Sequence, residues 1–230
     1  MPNITSKCFS IPSYGRRKHR VLSKKKQTLF TDTLPQFVVK DLNVLLTIAK
    51  NFQEVHLEIG FGNGEFLLKN AILNPKNLYL GCEPYINGVV RAVTKIKELN
   101  IKNIMIFPDD ARLLLLNIPN SFFNFIYLLF PDPWPKKKHY KRRIITLESL
   151  ELFWCKMKAS SKFFVVTDYA EYAEWILYHI QKHGKFYWNV KNISNIHVSF
   201  LKGIKTKYEL KAEKIKSDIY YFLFNNYEVT

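Results

Sequence analysis

The chain has 230 residues with 47% hydrophobic side chains and three cysteines. These figures exclude a disulfide-stabilised miniprotein and global disorder, because a chain of this size and apolar content can bury a substantial core. Lys and Arg outnumber Asp and Glu by 35 to 19, a net charge of +16. Such an excess argues against an enzyme that meets only small neutral metabolites and predicts a polyanionic partner.

The cysteines and the N-terminus indicate the compartment. Cys8, Cys82 and Cys155 are widely spaced and form no CxxC pair, which favours a reducing environment and argues against a zinc site. The six histidines have no ligand spacing, so we expect no metal. The N-terminus lacks a signal-peptide core, and the densest apolar run, 122–130, is about half of the ~20 residues that cross a membrane. We therefore predict a soluble cytoplasmic protein without a membrane segment.

The first thirty residues differ in character from the rest. Basic clusters at Arg16–Arg20 and Lys24–Lys26 stand in a stretch with little apolar periodicity. This pattern predicts a flexible basic arm over residues 1–30, either a nucleic-acid contact or a solvated tail, followed by a single domain over residues 31–230. A helix near Phe37–Asn51 opens that domain.

Short apolar strands then alternate with helical periodicity. The strands are predicted at Val55–Ile59, Asn77–Cys82, Asn103–Phe107, Phe122–Phe130, Lys162–Thr167 and Ile219–Phe224. The helices are predicted at Glu65–Leu73, around Ile86–Ile96, around Ile144–Trp154 and from Tyr169 to Ile180, closed by Gly184. This alternation predicts an α/β fold with a doubly wound, Rossmann-like sheet, mostly parallel with an antiparallel last strand. Ligands of such sheets bind at the carboxyl ends of the strands.

A glycine turn follows the first predicted strand. Gly60, Gly62 and Gly64 allow a ligand to approach the backbone closely, although such a turn can also exist without a ligand. The spacing GxGxG departs from the GxGxxG dinucleotide fingerprint. Glu65, in the first turn of the next helix, would repel a pyrophosphate but suits a ligand with a cationic centre. The turn therefore favours a sulfonium nucleoside over NAD.

Carboxylates stand at three successive strand ends. Glu83 follows Gly60 at about the 20-residue distance expected for an acid that binds ribose hydroxyls. Glu58 and Asp110 end or follow the neighbouring strands. Each acid alone could be a solvated loop residue or a helix cap. Together they predict a ring that holds an amino group, a ribose and an adenine amine.

The segment from Phe130 to Arg143 carries Asp132, Trp134, three prolines and six Lys or Arg residues. The prolines stiffen the strand exit and place Asp132 and Trp134 at the ligand edge. Trp134 could stack on a nucleobase while Asp132 accepts from the base edge, next to a phosphate-binding strip. Alternatively, Trp134 covers the core and the lysines are merely solvated.

Two later sites are less specific. Asp168 follows a strand and precedes a helix, as an N-cap residue does. The stretch Thr206–Glu209 is expected in the loop before the last strand, where it reads as ordinary surface.

Six blocks in order resemble the bacterial tRNA (guanine-N7-)-methyltransferase family: VHLEIGFGNGEF (55–66), GCEP (81–84), DA (110–111), FPDPWPKKKHYKRR (130–143), TD (167–168) and TKYE (206–209). The basic arm, SYGRRKHRVLSKKKQ, is also similar. The resemblance implies a class I methyltransferase in which Glu58, Glu83 and Asp110 hold S-adenosyl-L-methionine beside the glycine turn. It also implies that Asp132 is shared between the cofactor and the catalytic site.

The same resemblance implies a tRNA substrate, methylated at N7 of guanine 46 in the variable loop. Substrate contacts would come from Lys136, Asp168, Thr206, Lys207, Tyr208 and Glu209. RNA contacts would come from Lys138, His139, Tyr140, Lys141, Arg142 and Arg143.

Guanine N7 carries a free lone pair, so methylation requires orientation rather than a strong base, and we expect Asp132 to act electrostatically. Two alternatives remain open at this point: a non-catalytic RNA-binding factor on the same fold, and a nucleotide-dependent oxidoreductase. The sequence is compatible with a monomer or a homodimer.

Overall fold

A computed structural model describes residues 29–188 and 207–226. The chain divides into two compact units, Met1–Ile118 and Pro119–Thr230. Residues 1–28, which form most of the predicted basic arm, lie outside the described residues, and so does Thr206.

Among its described residues, the first unit contains four α-helices and three strands, preceded by a π-helical turn at Leu29–Thr33 and a 3-10 turn at Leu34–Gln36. The α-helices and strands are α1 (Leu42–Ala49), β1 (Val55–Ile59), α2 (Glu65–Leu73), β2 (Leu78–Cys82), α3 (Ile86–Glu98), β3 (Ile104–Phe107) and α4 (Ala111–Leu115). The strands are parallel in the order β3-β2-β1. Ile59 pairs with Cys82, and Cys82 pairs with Phe107, so the three strands end level with one another. The loops that follow them therefore leave from the same edge.

The second unit contains β4 (Phe123–Leu129), α5 (Leu147–Lys156), β5 (Met157–Thr167), α6 (Ala170–His183), β6 (Phe186–Trp188), α7 (Lys207–Lys214) and β7 (Tyr220–Asn226). Its strands have the order β4-β5-β7-β6. β4 and β5 are parallel, whereas β7 is antiparallel to both of its neighbours.

Apolar periodicity explains these elements. All five residues of β1 and of β2 are buried, as expected for parallel strands covered on both faces. In α3, Val89, Val93 and Ile96 recur at helical spacing and lie in the core. α6 ends at Gly184, whose φ of 76° is a left-handed conformation that glycine adopts without strain.

The predicted α/β class, mostly parallel with an antiparallel last strand, is confirmed. Four local predictions were wrong or incomplete. β5 begins at Met157 rather than Lys162, because the polar stretch 158–161 hides the strand pattern. The three-residue β6 gives too short a pattern to detect. Lys207–Glu209 begin α7 instead of lying in a loop, and Tyr169 rather than Asp168 is the N-cap of α6.

Membrane-spanning helices are not found in the described ranges, since none there is both long and apolar enough.

Candidate functional site

The glycine turn after β1 forms the floor of a candidate site in the first unit. Gly60, Gly62 and Gly64 all have positive φ, at 75°, 57° and 81°. A side chain placed on Gly60 or Gly62 would meet no atom within 4 Å, so open space lies over both residues. Gly64 is the N-cap of α2, which places a helix N-terminus behind the turn. Among the described residues, open space therefore lies beside Gly60 and Gly62, whereas a Cβ on Gly64 would lie 3.0 Å from the Ala92 Cβ.

Glu83 holds the turn in place. Its Oε2 accepts a hydrogen bond from the Gly62 N–H at 2.7 Å, and its Oε1 accepts one from the Tyr85 N–H at 2.8 Å. Both are charge-assisted bonds to a buried carboxylate, which are stronger than bonds between neutral groups. Glu83 thus links the end of β2 to the turn after β1.

Glu58, two residues before the turn, is a buried acid with an unsatisfied oxygen. The residue is 4% exposed, and among the described residues its Oε2 has no hydrogen-bond partner. Burial raises the pKa of this carboxyl well above its ordinary value, and the nearby Glu65 and Glu83 charges raise it further. A cationic group beside Glu58 would stabilise the charged form of the carboxyl, which burial and the two neighbouring acids disfavour, so the site fits a positively charged ligand.

Asp110 closes the same edge after β3. It caps α4 by accepting from the Arg112 N–H at 3.0 Å. The Arg112 guanidinium also binds both carboxylate oxygens, with Nε at 3.0 Å and Nη2 at 2.7 Å. Asp110 is therefore oriented by its own helix. A ligand would have to share its oxygens with Arg112.

Two glycines that support this site were not singled out by sequence reasoning. A Cβ on Gly88, in the first turn of α3, would lie 2.2 Å from the Gly62 carbonyl oxygen. A Cβ on Gly81, in β2, would lie 2.7 Å from side-chain atoms of Leu67 and Phe61. These close approaches are tertiary contacts, which no local sequence pattern indicates.

In the second unit, the segment after β4 has an unusual backbone. Phe130 and Trp134 have φ of 50° and 44°, a region that non-glycine residues rarely adopt. Asp132 lies exposed between Pro131 and Pro133. The strand exit therefore presents an acid at the surface.

The basic segment that follows forms a charged surface. Lys136, Lys137, Lys138 and Lys141 are exposed. The Arg142 guanidinium lies 4.9 Å from the Trp134 ring centroid, and His139 packs edge-on against the same ring at 5.7 Å. Cations around an aromatic ring are the combination expected for single-stranded RNA.

Arg143 departs from the expectation that it contacts RNA. Its side chain is among the largest fully buried ones, at 2% exposure, so this arrangement does not present it to an RNA phosphate. The neighbouring Tyr140 is half-buried, and its hydroxyl donates to Glu171. The run Lys138–Arg143 thus begins with exposed cations and ends in a buried one, Arg143.

The remaining predicted substrate residues also differ from one another. Asp168 is half-buried, and its backbone carbonyl accepts from the Ser217 hydroxyl at 3.1 Å. Lys207 and Tyr208 are exposed, and the Tyr208 ring stacks on Phe130 at 6.0 Å. Glu209 is 3% exposed and accepts from the Tyr221 hydroxyl at 2.7 Å, so its carboxylate faces β7 rather than a substrate.

Within the described ranges, no group of three or more His, Cys, Asp or Glu side chains could hold a metal ion.

Comparison with known proteins identifies the class of protein that the chain resembles. A family model described as "Putative methyltransferase" matches residues 52–222. A solved 16S rRNA methyltransferase, KamB, has a similar fold, with a TM-score of 0.59 at 13% identity over 82% of this chain and 94% of that one. These matches define a methyltransferase with the class I fold.

Two curated relatives narrow the class. A tRNA (guanine-N(7)-)-methyltransferase of Mesorhizobium japonicum is 39% identical over 92% of this chain and 91% of its own length. A tRNA (guanine-N(7)-)-methyltransferase of Wolbachia pipientis wMel is 38% identical over 76% of each chain. The chain belongs to the tRNA (guanine-N(7)-)-methyltransferase family.

Proposed function

We propose that the protein transfers a methyl group from S-adenosyl-L-methionine to N7 of guanine 46, in the variable loop of cytoplasmic tRNA. The observation that carries the proposal is Glu58, whose buried and unpartnered carboxylate oxygen stands beside an open glycine turn. This arrangement favours a cationic nucleoside over a nucleotide, since a phosphate would be repelled by Glu58, Glu65 and Glu83.

Three acids of the first unit would hold the cofactor. Glu58 binds the amino group, Glu83 the ribose hydroxyls, and Asp110 the adenine edge. Gly60 and Gly62 leave room for the ligand against the backbone, and Gly64 starts the helix behind it. When bound, the cofactor supplies an electrophilic methyl group on a sulfonium. The protein contributes placement and a negative field that favours the cation.

Asp132 is the proposed catalytic residue, and its carboxylate would act on the guanine. N7 has a lone pair and loses no proton, so a base is unnecessary. The carboxylate orients the purine and stabilises the positive charge that develops on it. Fixed placement suits this role, and Pro131 and Pro133 restrict the backbone on either side of Asp132.

The tRNA would be held mainly by charge. Lys136, Lys138, Lys141 and Arg142 are proposed to contact phosphates, with His139 beside them, while Lys207, Tyr208 and Asp168 lie nearer the guanine. The basic arm over residues 1–30 would add further phosphate contacts to the single domain over residues 31–230. Such contacts predict strongly salt-dependent binding.

The proposal is tested with purified protein, an unmodified tRNA transcript and methyl-labelled S-adenosyl-L-methionine. Nucleoside mass spectrometry should find the label in N7-methylguanosine, and a transcript with adenine at position 46 should accept none. Tight tRNA binding without methyl transfer would contradict the proposal and support a non-catalytic RNA-binding role. Label at another guanine would contradict only the assignment to position 46 and would leave the proposed reaction standing.

A further inference from the structure

Arg143 has its charge enclosed by aromatic rings. The guanidinium carbon lies 3.7 Å from the Tyr140 ring centroid, 4.7 Å from Trp175 and 5.1 Å from Tyr172. Its Nη2 has no hydrogen-bond partner and is 3.9 Å from a Glu171 oxygen. A buried cation is tolerated where rings and a nearby carboxylate stabilise it. Arg143 is thus part of the interior of the second unit.

A hydrogen bond from the Arg143 side chain reaches the segment that carries Asp132. Arg143 Nε donates to the Pro133 carbonyl oxygen at 2.8 Å. Pro131, Pro133 and Pro135 have no N–H, so this segment offers few donors of its own and must be held largely through its carbonyls. Pro133 directly follows Asp132. The bond therefore fixes the Pro133–Trp134 peptide, one residue beyond the proposed catalytic Asp132.

The backbone on both sides of this bond needs such support. Phe130 and Trp134 adopt positive φ, which costs energy for residues with a side chain. Conformations of this kind persist when surrounding contacts hold them. Arg143, packed between α6 and the basic segment, supplies a rigid contact of that type.

We propose that Arg143 is a positioning residue for Asp132: it holds the Pro131–Trp134 backbone from inside the unit instead of binding a tRNA phosphate. This inference rests on the proposed role of Asp132. It separates the basic segment into exposed cations that bind RNA and one buried cation that shapes the catalytic loop.

Arg143→Lys distinguishes the two roles. Lysine keeps the positive charge that a phosphate contact requires, but it lacks the planar guanidinium that stacks between rings while donating from Nε. For a positioning role we expect kcat to fall roughly 10- to 100-fold, the size expected when a reacting group is misplaced by about 1 Å. KM for tRNA should stay within about twofold of the wild type, and the slope of log affinity against log salt should not change.

Lys138→Ala is the matched control for an RNA contact. Loss of one exposed phosphate-binding lysine should raise KM for tRNA and reduce the salt slope by about 0.9. If Arg143→Lys keeps the wild-type kcat, or if Arg143→Met behaves like Lys138→Ala, the positioning role is overturned.

A measurement on the wild-type protein covers the case in which the Arg143 variants fail to fold. Phenylglyoxal modifies accessible arginines, and mass spectrometry locates the products. Arg143 should remain unmodified with and without tRNA, whereas the exposed Arg91 should react in the free protein. Reaction at Arg143 that tRNA suppresses would overturn the inference. Absence of methyl transfer by the wild type would instead contradict the proposed function.

Discussion

Glu58 and Arg143 are buried to a similar extent, yet their surroundings differ. Glu58 has an oxygen without a partner, two further acids nearby and open space over the adjoining glycine turn. Arg143 is enclosed by three rings and donates to a backbone carbonyl. Both side chains keep one polar atom without a hydrogen bond among the described residues, so the surrounding charge separates them. Acids lie near Glu58, which suits a cationic ligand, whereas rings and Glu171 already stabilise Arg143 as part of the structure.

The largest effect is expected at the residue that Arg143 would position. Asp132→Asn removes the charge that stabilises the cationic purine while keeping the shape, so kcat should fall roughly 100-fold or more. Affinity for S-adenosyl-L-methionine should change much less, as calorimetry can measure. Asp218→Asn, at another exposed aspartate of the second unit, should keep normal turnover. Equal turnover in the two variants would remove Asp132 from the mechanism.

Glu58→Gln should weaken S-adenosyl-L-methionine binding but stabilise the cofactor-free protein at pH values where Glu58 is ionised. Loss of a charge-assisted contact of about 1.5–3 kcal/mol should weaken S-adenosyl-L-methionine binding by roughly 10- to 100-fold. The exposed Glu98, substituted in the same way, serves as the control.

The stability effect of Glu58→Gln depends on pH. The folded-state pKa of Glu58 lies above its unfolded value of about 4.3, so native protein binds the proton more tightly than unfolded protein. The protonated carboxyl's stabilisation is complete below the unfolded pKa and is lost as pH rises through the folded pKa. As pH rises from the unfolded pKa to the folded pKa, the melting temperature of the cofactor-free wild type should therefore fall relative to that of Glu58→Gln. If the two proteins show the same dependence of melting temperature on pH, ionisation of Glu58 does not destabilise the free protein.

Gly88→Ala tests the backbone behind the cofactor site. A methyl group 2.2 Å from the Gly62 oxygen must displace the turn and weaken the Gly62–Glu83 bond. Affinity for S-adenosyl-L-methionine should drop about tenfold, in line with loss of one charge-assisted bond. Gly184→Ala is the control. Its positive φ makes the substitution destabilising by about 1 kcal/mol, but the affinity for S-adenosyl-L-methionine should not change. Unchanged affinity in Gly88→Ala would argue that the turn moves freely.

The smallest effect is expected at the exposed cations. Lys138→Ala should weaken tRNA binding only a few-fold at moderate salt, with the loss growing as salt is lowered, because each phosphate contact contributes through counterion release. Binding titrations at several salt concentrations measure this trend. A salt slope equal to that of the wild type would exclude Lys138 from the interface.

Local patterns predicted much of this structure. The strand Val55–Ile59, the helix Glu65–Leu73 and the antiparallel last strand follow from periodicity and glycine placement. The acids at strand ends follow from the rule that parallel strands present their carboxyl ends at one edge.

Other features depend on contacts between distant residues. Gly88 packs against Gly62, and Glu209 turns toward Tyr221. Arg143 looks like its basic neighbours in sequence, but aromatic residues of α6 some thirty positions later surround it. No spacing rule separates a buried arginine from an exposed one in a basic run.

The most direct test of the account compares two ligands on two proteins by calorimetry. S-adenosylhomocysteine carries the amino group proposed to bind Glu58, and methylthioadenosine lacks it. Glu58→Gln should lower the affinity for S-adenosylhomocysteine by about tenfold or more and leave the affinity for methylthioadenosine almost unchanged. Equal losses for the two ligands would contradict the claim that the uncompensated Glu58 carboxylate is the site of the cofactor's cationic group.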